Sequence, residues 1–186
     1  MVKPLVNIHI GGCYASEKPA IISTILGSCI SVCLFDQGRA IGGMNHIMLP
    51  GRADLRNYNV PARYATNAME LLVNKLLKLG AGRFDLRAKV FGGALVLYVL
   101  AEQNQIGLRN AEFVVNYLES EKIPVVNSSI GGTESCKIFF HTDTGDVYLK
   151  RLRGNASHVK RARKETEILK KLKARLNSPG RLYYLE

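Results

Sequence analysis

Four Gly-Gly pairs, at 11–12, 42–43, 92–93 and 131–132, punctuate this chain, and each follows or interrupts a run of β-type residues. Glycine there permits positive φ or a close approach of backbone, so the pairs break the sequence into short strands and offer a glycine-lined rim for a sheet. Residues 4–15 alternate weakly and predict one first strand ending at Gly11-Gly12. "IISTILGSCISVCLFD" reads as two β segments broken at Gly27, and Asp36-Gln37-Gly38 as the turn into a returning strand, "AIGGMNHIMLP". "LRAKVFGGA" and "KIPVVNSSIGG" are further strands, and "KIFFHTDTGDVYLKRL" is a terminal hairpin. Two stretches carry the helical period instead. One opens at Pro61, repeats through Ala65, Ala68, Met69, Leu72, Leu76 and Leu79, and stops at Gly80; the other covers residues 108–120. Hairpins mixed with helices predict an α+β fold, a layered α/β sandwich of mixed, largely antiparallel sheet with helices packed on it.

The glycines are not a nucleotide-binding fingerprint, since neither GxGxxG nor GxxxxGK[ST] occurs. With 186 residues, 47% of them apolar, the chain has enough material for one hydrophobic core and an ordinary globular composition. No apolar run reaches the ~20 residues of a membrane span, and "MVKPLVNIHIGGCYAS" lacks a basic leader with an apolar core, so a cytoplasmic location is expected. Four cysteines without a CxxC pair argue for reduced thiols. A zinc site from Cys29, Cys33 and His46 lacks the usual tight ligand pairs, and the reading is that no metal or other cofactor is needed.

The net charge of +11 is unevenly spread. Residues 1–149 hold 14 Lys/Arg against 12 Asp/Glu, whereas residues 150–186 hold 12 against 3. The division expected is a domain over residues 1–152 and a basic C-terminal helical extension over 153–186. Within the extension, "SHVKRARKETEILKKLKARLN" places Val159, Ala162, Leu169, Leu172 and Leu176 at helical spacing beneath Lys and Arg. A solvated basic face and a docking element for acidic partners are the two main readings. Nucleic acid is disfavoured because no aromatic platform accompanies the charge.

The chemistry concentrates in residues 25–50. Cys29 follows Gly27-Ser28, a break where the backbone can expose a thiol and offer free N–H groups from Gly27 and Ser28 to an oxyanion. If the strands around Gln37-Gly38 pair as a hairpin, Cys29 faces His46, and opposed side chains have Cβ atoms about 4.5–5.5 Å apart. That suits a nucleophile and its base. A one-residue slip would separate them, and a buried thiol beside a turn histidine is the bland alternative. Cys33 reads as core, and His141 is the substitute base.

These residues also carry a resemblance. "LGSC…CLFD…GGMNHIMLP", "AKVFGGA", "IGLRN" and a late "GG" before a terminal hairpin resemble, in order and over about residues 5–152, the chemoreceptor glutamine deamidase family, CheD. The resemblance implies a fold related to cysteine-dependent toxin deamidases. It implies conversion of particular glutamines on the cytoplasmic helical bundle of chemotaxis receptors to glutamate, through a Cys29 thioester, with methyl esters as further substrates. A CheC-type phosphatase partner is also implied. The opposing class is a non-catalytic binding module for acidic chemotaxis partners. By the same resemblance His46 is general base and acid, and a hydroxyl residue six positions before the cysteine, Ser23, orients it. Thr24 is the equivalent if the alignment slips by one, but alternation would then turn it to the other face, so Ser23 is preferred. Where relatives carry an arginine after the late "GG", this chain has Cys136.

Overall fold

A computed structural model describes residues 2–48, 65–94, 106–152, 174 and 182–185. Ten strands and two helices follow in the order β1 (Leu5–Asn7), β2 (Cys13–Ser16), β3 (Ile21–Leu26), β4 (Ile30–Asp36), β5 (Ile41–Asn45), α1 (Ala65–Lys78), β6 (Arg87–Gly92), α2 (Ile106–Ser120), β7 (Val125–Ile130), β8 (Ser135–His141), β9 (Val147–Leu152) and β10 (Leu182–Leu185). They form two five-stranded mixed sheets, β1-β3-β8-β9-β10 and β2-β5-β4-β6-β7. The architecture is α+β, a layered sandwich: sheet on sheet, with both helices on the outer face of the second sheet.

Each layer is sealed by its own apolar set. Ile30, Val32 and Leu34 of β4 pack with Leu72 and Leu76 of α1 and Val114 of α2. The alternate β4 residues Cys33 and Phe35 point the other way, joining Ile22, Leu26, Phe91, Ile138 and Phe140 between the sheets. A strand buried on both faces reads as an apolar run, and every residue of β4 is buried. In β5 the pair Gly42-Gly43 lies mid-strand, not on a rim. A Cβ on Gly42 would sit 2.4 Å from the Thr142 carbonyl oxygen, and one on Gly43 2.8 Å from Leu72 Cδ1. The two glycines therefore let the β8–β9 turn and α1 close on opposite faces of the same strand.

Three sequence expectations change. Residues 4–15 form two strands in different sheets, because the chain turns at Gly11-Gly12 and crosses from β1 to β2. The β4–β5 hairpin turns one residue later than expected: Cys33 faces Met44, Asp36 faces Ile41, and Ile30 bridges Ile47. Finally, β10 was not expected; Leu182–Leu185 pairs in parallel along β9. The Pro61 helix start and the basic stretch 157–177, apart from Ala174 in helical conformation, lie outside the described residues.

Candidate active site

The break between β3 and β4 at Gly27–Cys29 carries the chain from the first sheet into the second, so Cys29 stands where the two sheets meet. The break is held in place by backbone. Gly93 N–H donates to the Cys29 carbonyl (2.7 Å) and Ala94 N–H to the Gly27 carbonyl (2.8 Å). The Asn110 side chain of α2 reaches the Ser28 carbonyl at 2.9 Å. Gly92, at φ +105, is required here: a Cβ would meet the Cys29 carbonyl oxygen at 2.2 Å. Among the described residues the N–H groups of Ser28 and Cys29 meet no backbone carbonyl.

His46 is fixed on both sides of its backbone and through its ring. Its N–H donates to the Gly12 carbonyl, and its own carbonyl accepts from Gly11 N–H, both at 2.9 Å. The preceding Asn45, fully buried, accepts from Val32 N–H at 3.0 Å and donates to the Ala68 carbonyl at 3.1 Å, tying β4, β5 and α1 together beside the histidine. The register shift in the hairpin amounts to two residues, so it preserves side-chain parity. Cys29 lies in the inter-sheet cluster with Cys33 and Met44, and His46, two residues after Met44, turns to the same space. Cys29 and His46 thus share a face, with Cys29 offset from the position directly opposite.

The hydroxyl on the histidine is Thr24, not Ser23. Thr24 Oγ1 lies 2.8 Å from His46 Nδ1 and donates to the Ile8 carbonyl, also at 2.8 Å. Ile22 and Leu26 face the inter-sheet core and Thr24 lies between them; Ser23 and Ile25 face outward, and Ser23 hydrogen-bonds Asn7. The expected parity was inverted because "IISTIL" is ambiguous: Ile21/Ser23/Ile25 and Ile22/Thr24/Leu26 are equally apolar alternating sets.

The two Thr24 bonds settle which ring nitrogen carries the proton. A carbonyl only accepts, so the single Thr24 hydroxyl proton goes to Ile8, and Thr24 must accept from Nδ1–H. That leaves Nε2 as a bare lone pair. It is buried and without a partner among the described residues. Burial, with a smaller contribution from neighbouring His9, depresses His46 from 6.5 to about 4, and burial pushes the Cys29 thiol above its ordinary value. At neutral pH the pair is therefore a thiol beside a neutral imidazole.

Beside the histidine, β1 leaves the edge of β3 and opens a cleft of about 510 Å³ lined by Asn7, His9, Ile10, Ile25, His46 and Lys137 among others. Cys29 is not among its lining residues. His141, the substitute base, faces Ile21 at the far end of β3 and lies 3.2 Å from Lys3 Nζ. Cys136 faces Leu26 in the inter-sheet core. No cluster of three or more metal-type side chains occurs among the described residues, nor any helix long and apolar enough to cross a membrane. Sequence reasoning missed the roles of Asn110, although it closes the "IGLRN" motif, and of the Ile8 carbonyl, because both depend on tertiary approach.

The comparisons agree with the resemblance. A family model, CheD chemotactic sensory transduction, matches residues 48–151, beginning two residues after His46. The "Probable chemoreceptor glutamine deamidase CheD 1" of Dechloromonas aromatica is 46% identical over 76% of this chain and 70% of its own length. "Probable chemoreceptor glutamine deamidase CheD 2" of Burkholderia thailandensis is 43% identical over 79% and 75%. The counterpart from Thiobacillus denitrificans is 43% identical over 86% of this chain and 81% of its own. A match over 86% of 186 residues leaves about 26 unmatched, so it takes in both Cys29 and His46.

Proposed function

The chain belongs to the CheD family, and from that premise we propose that it is a chemoreceptor glutamine deamidase whose nucleophile is Cys29 and whose base is His46. The observation that carries the chemistry is the unpartnered Nε2 of a histidine whose proton is pinned on Nδ1 by Thr24, on the face that Cys29 shares.

The steps follow from the protonation states. Burial holds the Cys29 proton more tightly than usual and keeps the His46 ring neutral at pH 7, so the separated ions are disfavoured in the resting site. The thiolate is therefore a minor species until substrate arrives. Proton transfer from Sγ to Nε2 therefore accompanies attack on the glutamine carboxamide carbon. The oxyanion is taken by N–H groups of the Gly27–Cys29 break, those of Ser28 and Cys29 foremost. Imidazolium returns the proton to the amide nitrogen and ammonia leaves. Water, deprotonated by the same nitrogen, then cleaves the thioester to release glutamate and restore the thiol. A methyl ester fits the same sequence, with methanol as leaving group.

The reading extends to a cytoplasmic protein acting on the receptor's helical bundle, with a CheC-type phosphatase as competitor for the same face. The decisive experiment incubates the protein with receptor cytoplasmic fragments and maps glutamine-to-glutamate mass shifts. Conversion by wild type and none by Cys29→Ala is expected. Equal conversion by both, or binding without conversion, would replace the enzyme by a binding module.

A further inference from the structure

The cleft beside His46 is not needed for the covalent steps, yet it opens onto the proposed catalytic histidine. Its walls include Ile10 and Ile25, which are 47% and 56% exposed, an unusual amount for large apolar residues at the edge of a buried site. Its floor and rim carry His9 and Lys137 and no carboxylate. Lys137 stands across β3 from Ile25 and across β9 from Lys150, so two ammonium groups share one patch of the outer sheet face. Its Nζ lies 5.1 Å from the Phe139 ring, and among the described residues it makes no ion pair.

A half-apolar, cationic recess beside the reacting centre fits one kind of occupant. The target glutamine enters toward Cys29, so a side chain reaching the cleft beside His46 comes from about one helical turn, 5.4 Å, along the substrate helix. Charge complementarity then decides its type. We infer that this cleft is a recognition subsite for an acidic side chain one turn from the target glutamine, with Lys137 as its cation and Ile10 and Ile25 gripping the methylenes. This rests on the deamidase reading, and it makes Lys137 a specificity-determining residue, one that touches the substrate's flank and takes no part in the chemistry.

The test uses three coiled-coil fragments of a receptor signalling domain, identical except for Glu, Ala or Lys one turn from the same glutamine. Deamidation rates are read by mass spectrometry, and binding is measured separately on the Cys29→Ala protein. For wild type, kcat/KM and affinity should favour Glu over Lys by about tenfold at low salt, shrinking as salt rises. Lys137→Glu should reverse the order, with the Lys-flanked fragment improving in absolute terms, which a merely misfolded variant would not do. An unchanged order in Lys137→Glu, or no preference in wild type, overturns the subsite while leaving the deamidase intact. Charge-dependent binding that Lys137→Glu reverses, without deamidation by wild type, would retain the subsite and sink the enzyme.

Discussion

Replacing Thr24 by valine removes one hydroxyl and little else, because the two side chains have nearly the same shape in a position only 5% exposed. Two buried groups lose their partner at once: the Ile8 carbonyl and His46 Nδ1–H. Each unsatisfied group costs about 1–3 kcal/mol, so a stability loss of about 2–6 kcal/mol is expected in a urea titration. The catalytic loss has a different origin. Without the hydroxyl nothing holds the proton on Nδ1, and the ring can place it on Nε2, where it blocks acceptance from Cys29. Loss of one buried bond of about 1.5–3 kcal/mol corresponds to a 10- to 100-fold fall in kcat/KM for receptor glutamines. Thr24→Ser, which keeps the hydroxyl, should recover most of that rate. Ser23→Ala, which disturbs only the bond to Asn7, should leave the rate near wild type. The reasoning is refuted if Ser23→Ala inactivates the protein while Thr24→Val, still folded, turns over normally.

Further expectations concern pH and the Cys29 break. Because His46 titrates near 4 rather than 6.5, kcat/KM should hold level from about pH 8 down to about pH 5 before its acid limb; a limb centred near 6.5 would contradict the burial argument. The same depression makes the unfolded chain bind the extra proton first, so stability is intact above pH 6.5 and falls as pH drops toward 4, by about 3 kcal/mol in all; urea midpoints across that range should show it, and His46→Asn should flatten it. Gly92→Ala would drive a methyl group into the Cys29 carbonyl, so activity should fall more than tenfold, with slower Cys29 alkylation at fixed pH reporting the displaced thiol. Asn110→Ala, which releases the Ser28 carbonyl, should cost less, about threefold to tenfold in kcat.

Much of this architecture is legible in the residues. Both helices declare themselves through three- and four-residue spacing, as Ala68, Leu72 and Leu76 do on α1. The β4–β5 hairpin follows from its turn, and its alternation brings Cys29 and His46 to one face even with the register displaced, because a two-residue shift leaves parity untouched. A choice between Ser23 and Thr24 was beyond reach for the opposite reason. Adjacent strand residues differ only in face, and the inward face of β3 is set by a second sheet packing on it, not by its own composition. The split of residues 4–15 into β1 and β2 was hidden similarly, since a chain crossing between sheets keeps extended, alternating character on both sides of the turn. Cys136 became interpretable only once β8 was seen to turn it into the core beside Leu26.

The crossing from β1 to β2 has one more consequence. Gly11 and Gly12 clasp the backbone of His46, and Ile8 anchors the hydroxyl that steers its ring. Residues 8–12 thus act as one jaw of the site: in the proposed chemistry they contribute no reacting atom, yet they set the position and the tautomer of His46. Most of both sheets is built without this short crossing, so shelter for the thiol and command of its base reside in separate pieces of chain. A ligand that pried the crossing loose could silence the site without ever touching the cysteine.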